Sequence, residues 1–297
     1  MNNMTRTALY SSFIMAFCTG TFAESWKIDV NTNLATALNT YSDNWTGGEA
    51  GSFTWSWLFL GTAEKQLSEK LNTKSTLKMQ FGQTKIQDKI QKDWSAPQKS
   101  SDLIDCEELL RFTLGIWVDP FISARAISQF LDASDLSYIR YVNPLDITEA
   151  VGVSRTLQKT ETIEWSSRIG AAARQYVDRN KLDTISGTRK TDVTNDGGTE
   201  FNMDLKAMNK EKWITLLSSL RLYEALVSSK ADEVKGTPQE NDWRYPHVKW
   251  ENSLSLTFAK YLMLNFSAYA YYDKDIDDEV RLKQTFSAGL TYIFSKK

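Results

Sequence analysis

Lys27-Ile28-Asp29-Val30-Asn31-Thr32-Asn33-Leu34-Ala35-Thr36-Ala37-Leu38-Asn39 alternates without a break. With Trp26 before it, the even positions carry Trp, Ile, Val, Thr, Leu, Thr and Leu. The odd positions carry Lys, Asp, Asn, Asn, Ala, Ala and Asn. A period of two sends successive side chains to opposite faces of an extended chain, so one face is apolar and the other polar. The same alternation returns at Phe53, Trp55, Trp57 and Phe59, with Thr54, Ser56 and Leu58 between them. It returns again at Val248, Trp250, Leu254, Leu256 and Phe258 against Lys249, Glu251, Ser253, Ser255 and Thr257. The last instance sets Leu282, Phe286, Ala288, Leu290, Tyr292 and Phe294 against Arg281, Lys283, Thr285, Ser287, Gly289 and Thr291.

Weaker alternation covers 71–83, 102–114, 121–130, 147–157, 162–177, 201–206, 214–227 and 262–272. Together these predict about twelve strands. Many run to about 10–14 residues, beyond the 5–6 usual in soluble sheets. Short joins are expected at 66–70, 115–120, 158–160, 209–212 and 259–261. Longer polar joins are expected at 42–52, 84–101, 132–143, 178–197, 228–245 and 273–279. Short and long joins alternate. The pattern predicts an all-β fold: a transmembrane antiparallel up-and-down β-barrel of about 12 strands, with short periplasmic turns and long extracellular loops.

The physical reason is backbone hydrogen bonding. A strand in lipid has no water to satisfy its N–H and C=O groups, and only closure into a barrel pairs them all. The lipid face must then be apolar while the lumen face can be wet. This accounts for a mean hydropathy of -0.41 in a chain with 10 Trp and 14 Phe. A soluble sandwich or ligand-binding barrel would show shorter strands and an apolar inside. Aromatics near strand ends, at Trp26, Tyr41, Trp45, Trp213, Trp243, Tyr261, Tyr272 and Tyr292, fit interfacial belts.

Composition removes other classes. Lys and Arg number 35 against 37 Asp and Glu, which gives no basic surface for nucleic acid. A single His leaves no His-based zinc cluster. No apolar run reaches the roughly 20 residues of a spanning helix. At the start, Arg6, the apolar run from Ala8 to Phe17 and the small-residue exit Thr21-Phe22-Ala23 predict a signal peptide over 1–23, with the barrel over 24–297. Cys18 offers a lipoprotein alternative, which the bulky Phe17 before it disfavours. Cleavage leaves Cys106 as the one thiol, so no internal disulfide is expected.

Two segments carry a resemblance. The strand Phe286-Ser287-Ala288-Gly289-Leu290-Thr291-Tyr292-Ile293-Phe294 resembles the sorting signal of bacterial outer-membrane proteins, with the aromatics Phe286, Tyr292 and Phe294 and Leu290 on one face. That resemblance implies the barrel-assembly machinery as a partner during insertion. It departs from the signal in the tail Ser295-Lys296-Lys297 beyond the last aromatic. The first hairpin runs from Asp29-Val30-Asn31 to Asn44-Trp45-Thr46-Gly47-Gly48-Glu49. It resembles an uncharacterised family of bacterial outer-membrane barrels, a domain-of-unknown-function family that opens with an Asn-Trp-x-x-Gly-Gly-Glu-Asn loop. Here one residue separates Trp45 from Gly47, and Ala50 replaces the final Asn. The resemblance implies fold and location in the bacterial outer membrane, and brings no reaction or catalytic residue.

The face opposite the lipid is dense in charges of both signs. Lys74, Lys78, Glu107, Arg111, Glu149, Arg155 and Arg221 belong to it, together with the lumen-lining candidates Glu164, Arg168, Arg174, Arg125, Lys249, Glu251 and Arg281. Arg168 and Arg174, with Glu164 on the same face, are the candidates for a constriction. Such charges either select a solute or pair across strands and fill a narrow lumen; mixed signs favour pairing. The expected function is passage of a small solute. The alternatives are a plugged barrel whose loops bind a surface partner, and an outer-membrane phospholipase that would have to use His247. Against the last, Ser253 and Ser255 stand too far along the same strand from His247, which reads as a solvated loop residue after Pro246.

No cofactor is implied, and no catalytic or metal site is assigned. The segment Asp273-Lys274-Asp275-Ile276-Asp277-Asp278-Glu279 is acidic but lacks the spacing of an EF-hand, and reads as a solvated loop; 192–198 reads the same way. In the first loop, Trp45 reads as an interfacial anchor and Gly47 and Gly48 as turn residues. Glu108 is the misfit: it falls on the lipid face of its strand, unless a bulge turns it inward.

Overall fold

The computed structural model describes residues 25–42, 50–88, 90–135, 137–183, 186–258 and 261–296. The leader expected over 1–23 and the loop motif at Asn44, Trp45, Gly47, Gly48 and Glu49 lie outside the described residues. The strands are β1 (Lys27–Asn39), β2 (Ser52–Ser68), β3 (Leu71–Ile86), β4 (Gln98–Phe112), β5 (Asp119–Ser128), β6 (Leu131–Asp132) and β7 (Arg140–Tyr141). They continue with β8 (Leu145–Lys159), β9 (Ile163–Leu182), β10 (Arg189–Met208), β11 (Ile214–Ser228), β12 (His247–Phe258), β13 (Leu262–Asp273) and β14 (Asp277–Lys296). Twelve close into a barrel in chain order, with β14 returning to pair with β1; β6 and β7 form a separate two-stranded ribbon in one loop. Neighbouring strands pair antiparallel, as in the Lys27↔Glu64 to Asn39↔Ser52 ladder.

The predicted faces hold over most of the wall. Leu34, Trp250, Phe266, Phe286, Leu290, Tyr292 and Phe294 are exposed on the outside, and the lumen side is polar. Outward polar groups find partners: the Trp57 indole N–H donates to Thr32 Oγ1 at 2.9 Å. Such a bond matters in lipid, where an unmade one has no water to replace it.

Several expectations need correction. The stretch 178–197 is not a long join. β9 and β10 pair continuously from Ala207↔Ile163 to Arg189↔Leu182, with a register shift between Lys190 and Asp192, so that six residues, 183–188, separate the two strands. Both faces of that extension are wet, so it shows no alternation, yet the backbone ladder carries on. The segment 192–198 is therefore strand, not an acidic loop. Glu149 and Arg155 point outward. Phe121↔Gly152 and Arg125↔Thr148 set the even residues of β8 to the lumen, so Glu149 is exposed and Arg155 stacks over the Trp117 ring at 4.6 Å. Glu108 does face outward, without a bulge at its position. It is satisfied there by the hydroxyls of Thr73 and Ser75, which both donate to its carboxylate. Trp243 lies buried in the 3-10 turn Asp242–Arg244 of the loop after β11, not in an interfacial belt.

The loop bearing β6 and β7 is held down by a buried polar network. Arg140 bridges Asp132 (2.6 Å) and Asp178 (2.8 Å), and the Asn143 amide donates to both carboxylates at 2.9 and 2.8 Å. Asn143 is 1% exposed and Asp132 3%. Removing the guanidinium would leave two buried carboxylates without their counter-charge, a loss of about 3–5 kcal/mol. Arg140→Met is therefore expected to release this loop while the barrel stays closed, seen as rapid hydrogen exchange at the Val142 amide, whose N–H donates to Phe130 O. Unchanged exchange there would show that the network does not hold the loop.

Acid should do the same. Burial pushes the Asp132 carboxyl up, but bonds from Asn143 and Ser134 and the charge of Arg140 outweigh it and hold it below the ordinary value. A depressed carboxyl stabilises the docked loop above its unfolded value near pH 3.9. That contribution is lost as pH falls through the folded value. Protection of Val142 is expected to fall below about pH 4 while the barrel amides stay protected; loss starting near neutrality would assign the docking to other groups.

Candidate functional site

The lumen is crossed at mid-height by side chains from opposite walls. Lys78 on β3 and Glu251 on β12 meet at 2.6 Å. Four strands separate β3 from β12 in one direction around the wall and six in the other, so this pair crosses the barrel. Glu251 also accepts a bond from Tyr271 Oη at 2.8 Å, and the Lys78 ammonium stands 5.8 Å from the centre of the Tyr269 ring. Glu107 on β4 pairs with Arg168 on β9, and Arg221 on β11 approaches the same carboxylate at 3.8 Å. Arg125 holds Asp105 on the adjacent strand by two bonds at 2.7 and 2.5 Å. Lys74 reaches Glu164 at 3.8 Å toward the turn end.

The alternation of each strand places these groups. Thr76↔Glu107 and Lys78↔Asp105 put β3 and β4 in phase. Asn202↔Arg168 and Asn202↔Arg221 align three more polar residues at one level. Apolar packing inside is slight: a cluster of Phe121, Ala150 and Ala172, with Leu109 and Tyr223 against it. Phe121 is fully buried, and the Arg168 guanidinium lies 5.7 Å from its ring centre. Around this level buried polar atoms stand without a protein partner: both side-chain atoms of Asn202, Arg168 Nε and Arg221 Nη1. Buried polar groups are normally satisfied, so water is the natural partner for these. This crossing layer is built of charged and polar side chains, not of a packed apolar core.

Toward the loop end, Arg174 grips Asp146 with two bonds at 2.8 Å and lies 3.3 Å from His247 Nδ1. His247 in turn stands 3.0 Å from Asp273. It opens β12 with an 11% exposed side chain, and is not the solvated loop residue expected. Its hydrogen-bond partners among the described residues are Arg174 and Asp273, and Ser253 and Ser255 instead accept from Asn265. Above lies a cavity of about 750 Å³ between the β9–β10 turn region, the loop after β11 and the 273–278 segment.

Of the seven lumen candidates, Arg168, Arg125 and Glu251 sit in the crossing layer. Arg174 and Lys249 stand above it, and Glu164 below. Arg281 is outside it. The β1–β14 ladder runs from Ile28↔Lys296 only to Ala35↔Gly289. Arg281 lies beyond that, on a stretch of β14 that pairs with β13 alone, and is exposed. Asp105, Asp146 and Phe121 were missed. The alternation already carried Asp105, which follows in step from Glu107; Asp146 was hidden by the phase of β8, because it shares a face with Thr148 and not with Glu149.

No family model and no curated protein matches the chain. Solved structures similar to it include an outer membrane channel from Pseudomonas putida F1 (13% identity, TM-score 0.43, covering 95% of this chain and 100% of that one). Another is the translocator domain of the autotransporter NalP from Neisseria meningitidis (8% identity, TM-score 0.37, 90% and 87% covered). A third is the CymD monoaromatic hydrocarbon channel (9% identity, TM-score 0.33, 92% and 89% covered). These are likenesses between barrels at low identity and no function is taken from them.

Proposed function

We propose that this chain is a bacterial outer-membrane channel for a small polar solute, closed at rest by its own lumen charges. The observation that carries the reading is the nature of the crossing layer. Ion pairs reaching across the lumen, with unpartnered donors beside them, form a barrier that side-chain rotation can part. A packed apolar core would have to be unbuilt. The apolar outer face and closed ladder support residence in lipid, and the long loops then face outside the cell with both termini in the periplasm. The resemblance of the first loop and last strand to outer-membrane barrels points the same way.

Single-channel recording of the refolded barrel in planar bilayers tests it. Brief unitary steps are expected from the native protein. Arg168→Glu, which sets a second carboxylate against Glu107, should lengthen the openings and shift preference toward cations. A folded, inserted barrel that gives no steps in either form would leave the lumen sealed and overturn the channel reading. The cavity among the outer loops would then favour a barrel that binds a surface partner.

A further inference from the structure

At the loop end of the lumen, six strands, β8 to β13, bring four carboxylates around one imidazole. Asp196 on β10 lies directly opposite Arg174 on β9, and Tyr223 on β11 directly opposite His247 on β12. Asp146 extends from β8, Asp273 ends β13, and Asp275 follows in the turn. The one guanidinium among them, Arg174, is already spent on a bidentate bond with Asp146. Lys249 is the next lumen residue below and Lys230 reaches the rim above. Arg174, Lys249 and Lys230 therefore face four carboxylates when His247 is neutral.

The contacts at His247 cannot all be satisfied from within. Its Nδ1 lies 3.0 Å from an Asp273 oxygen and 3.3 Å from Arg174 Nη1. With a proton, Nδ1 donates to Asp273 and faces an N–H of Arg174. Without one, it accepts from Arg174 and turns its lone pair on the Asp273 oxygen. Two further atoms beside it are buried with no partner, Asp196 Oδ1 and Tyr223 Oη, and the Tyr223 ring packs edge-on to the imidazole at 6.1 Å. His247, Asp273 and Asp275 each offer one ligand atom, and these atoms all lie within 4.8 Å of one another. A nitrogen and an oxygen 3.0 Å apart suit two neighbouring positions on a cation with bonds of about 2.0–2.2 Å.

We propose that His247, Asp273 and Asp275 form a binding site for a divalent transition cation at the outer mouth of the barrel. The ion takes the imidazole lone pair and both carboxylates, so the three acceptors no longer face one another. One nitrogen and two oxygen ligands select zinc, nickel or copper over calcium, which takes six to eight oxygens. Asp275 also lines the outer cavity, so the remaining coordination positions open toward solvent. The site does not depend on whether the lumen conducts.

Equilibrium dialysis of Zn²⁺ against the folded barrel in micelles tests this without any flux measurement. One ion per chain is expected, weakened by about tenfold or more in His247→Ala and in Asp275→Asn. Asp278→Asn, on the cavity wall but outside the cluster, should bind as the native protein does. Co²⁺ should give ligand-field absorption that His247→Ala abolishes. Folding of each variant is read from its heat-modifiable electrophoretic mobility, and Asp275→Asn, in a turn outside the barrel ladder, guards against misfolding of the other. Absence of Zn²⁺ uptake by the folded native barrel would overturn the proposal. So would uptake unchanged in both ligand variants, or displacement of Zn²⁺ by an equal concentration of Ca²⁺.

Discussion

Replacing Lys78 and Glu251 together by serine will open the lumen: unitary conductance in planar bilayers should rise several-fold over the native barrel, with longer openings. These two side chains make the direct bridge at 2.6 Å between strands on opposite walls, and serine is too short to span the gap. The double change is preferred to either single one. Lys78→Ser alone leaves the Glu251 carboxylate with only its Tyr271 bond, and breaking one side of a buried pair costs about 3–5 kcal/mol. A loss of that size destabilises the wall and confuses opening with unfolding. The exchanged pair, Lys78→Glu with Glu251→Lys, restores the bridge in reverse and should return conductance toward the native value. If the serine pair conducts no better than the native barrel, the barrier lies elsewhere in the lumen. The pairing of Glu107 with Arg168 and Arg221 is the next place to look.

How much of this was legible beforehand differs from strand to strand. In β1, β12 and the C-terminal part of β14 that pairs with β1, one face meets lipid and the other the lumen, so alternation gives both the element and its faces. The ends of β9 and β10 defeat the same logic because both faces meet water there, and only the backbone ladder says strand. β8 was misjudged in phase: its lumen face carries Gly152 and Ala150, which look like nothing, while Glu149 and Arg155 on the outside look like lumen residues. Charged residues could be assigned to the lumen, but not their partners. Lys78 and Glu251 lie 173 residues apart, and their meeting depends on the closure of the barrel, which no local pattern encodes. His247 failed for a related reason. Its neighbours Arg174, Tyr223 and Asp273 come from three other strands.

Gly152→Ala will damage the barrel out of proportion to one methyl group. A Cβ at this position would stand 2.1 Å from the backbone oxygen of Ile169 and 2.5 Å from Gly170 Cα. These are backbone atoms of the paired strand, which cannot turn aside as a side chain can. Gly170, directly opposite, is as tightly placed: its own Cβ would meet Val151 O at 2.4 Å. Phe121 completes the row, opposite Gly152 on the other side and fully buried. Two residues without side chains thus stand in line with the one large apolar ring at this level of the lumen. Overpacking of a tight site costs about 1–3 kcal/mol, and Gly152→Val should exceed that and prevent closure. The comparison is Gly61→Ala, where the new methyl meets only the far end of the Phe59 ring at 2.9 Å, which can swing away. Urea unfolding in lipid vesicles, followed by tryptophan fluorescence, should show a much larger loss for Gly152→Ala than for Gly61→Ala. Equal losses would mean that β8 and β9 can part locally without loosening the wall. The row of Phe121, Gly152 and Gly170 would then not be what fixes their spacing.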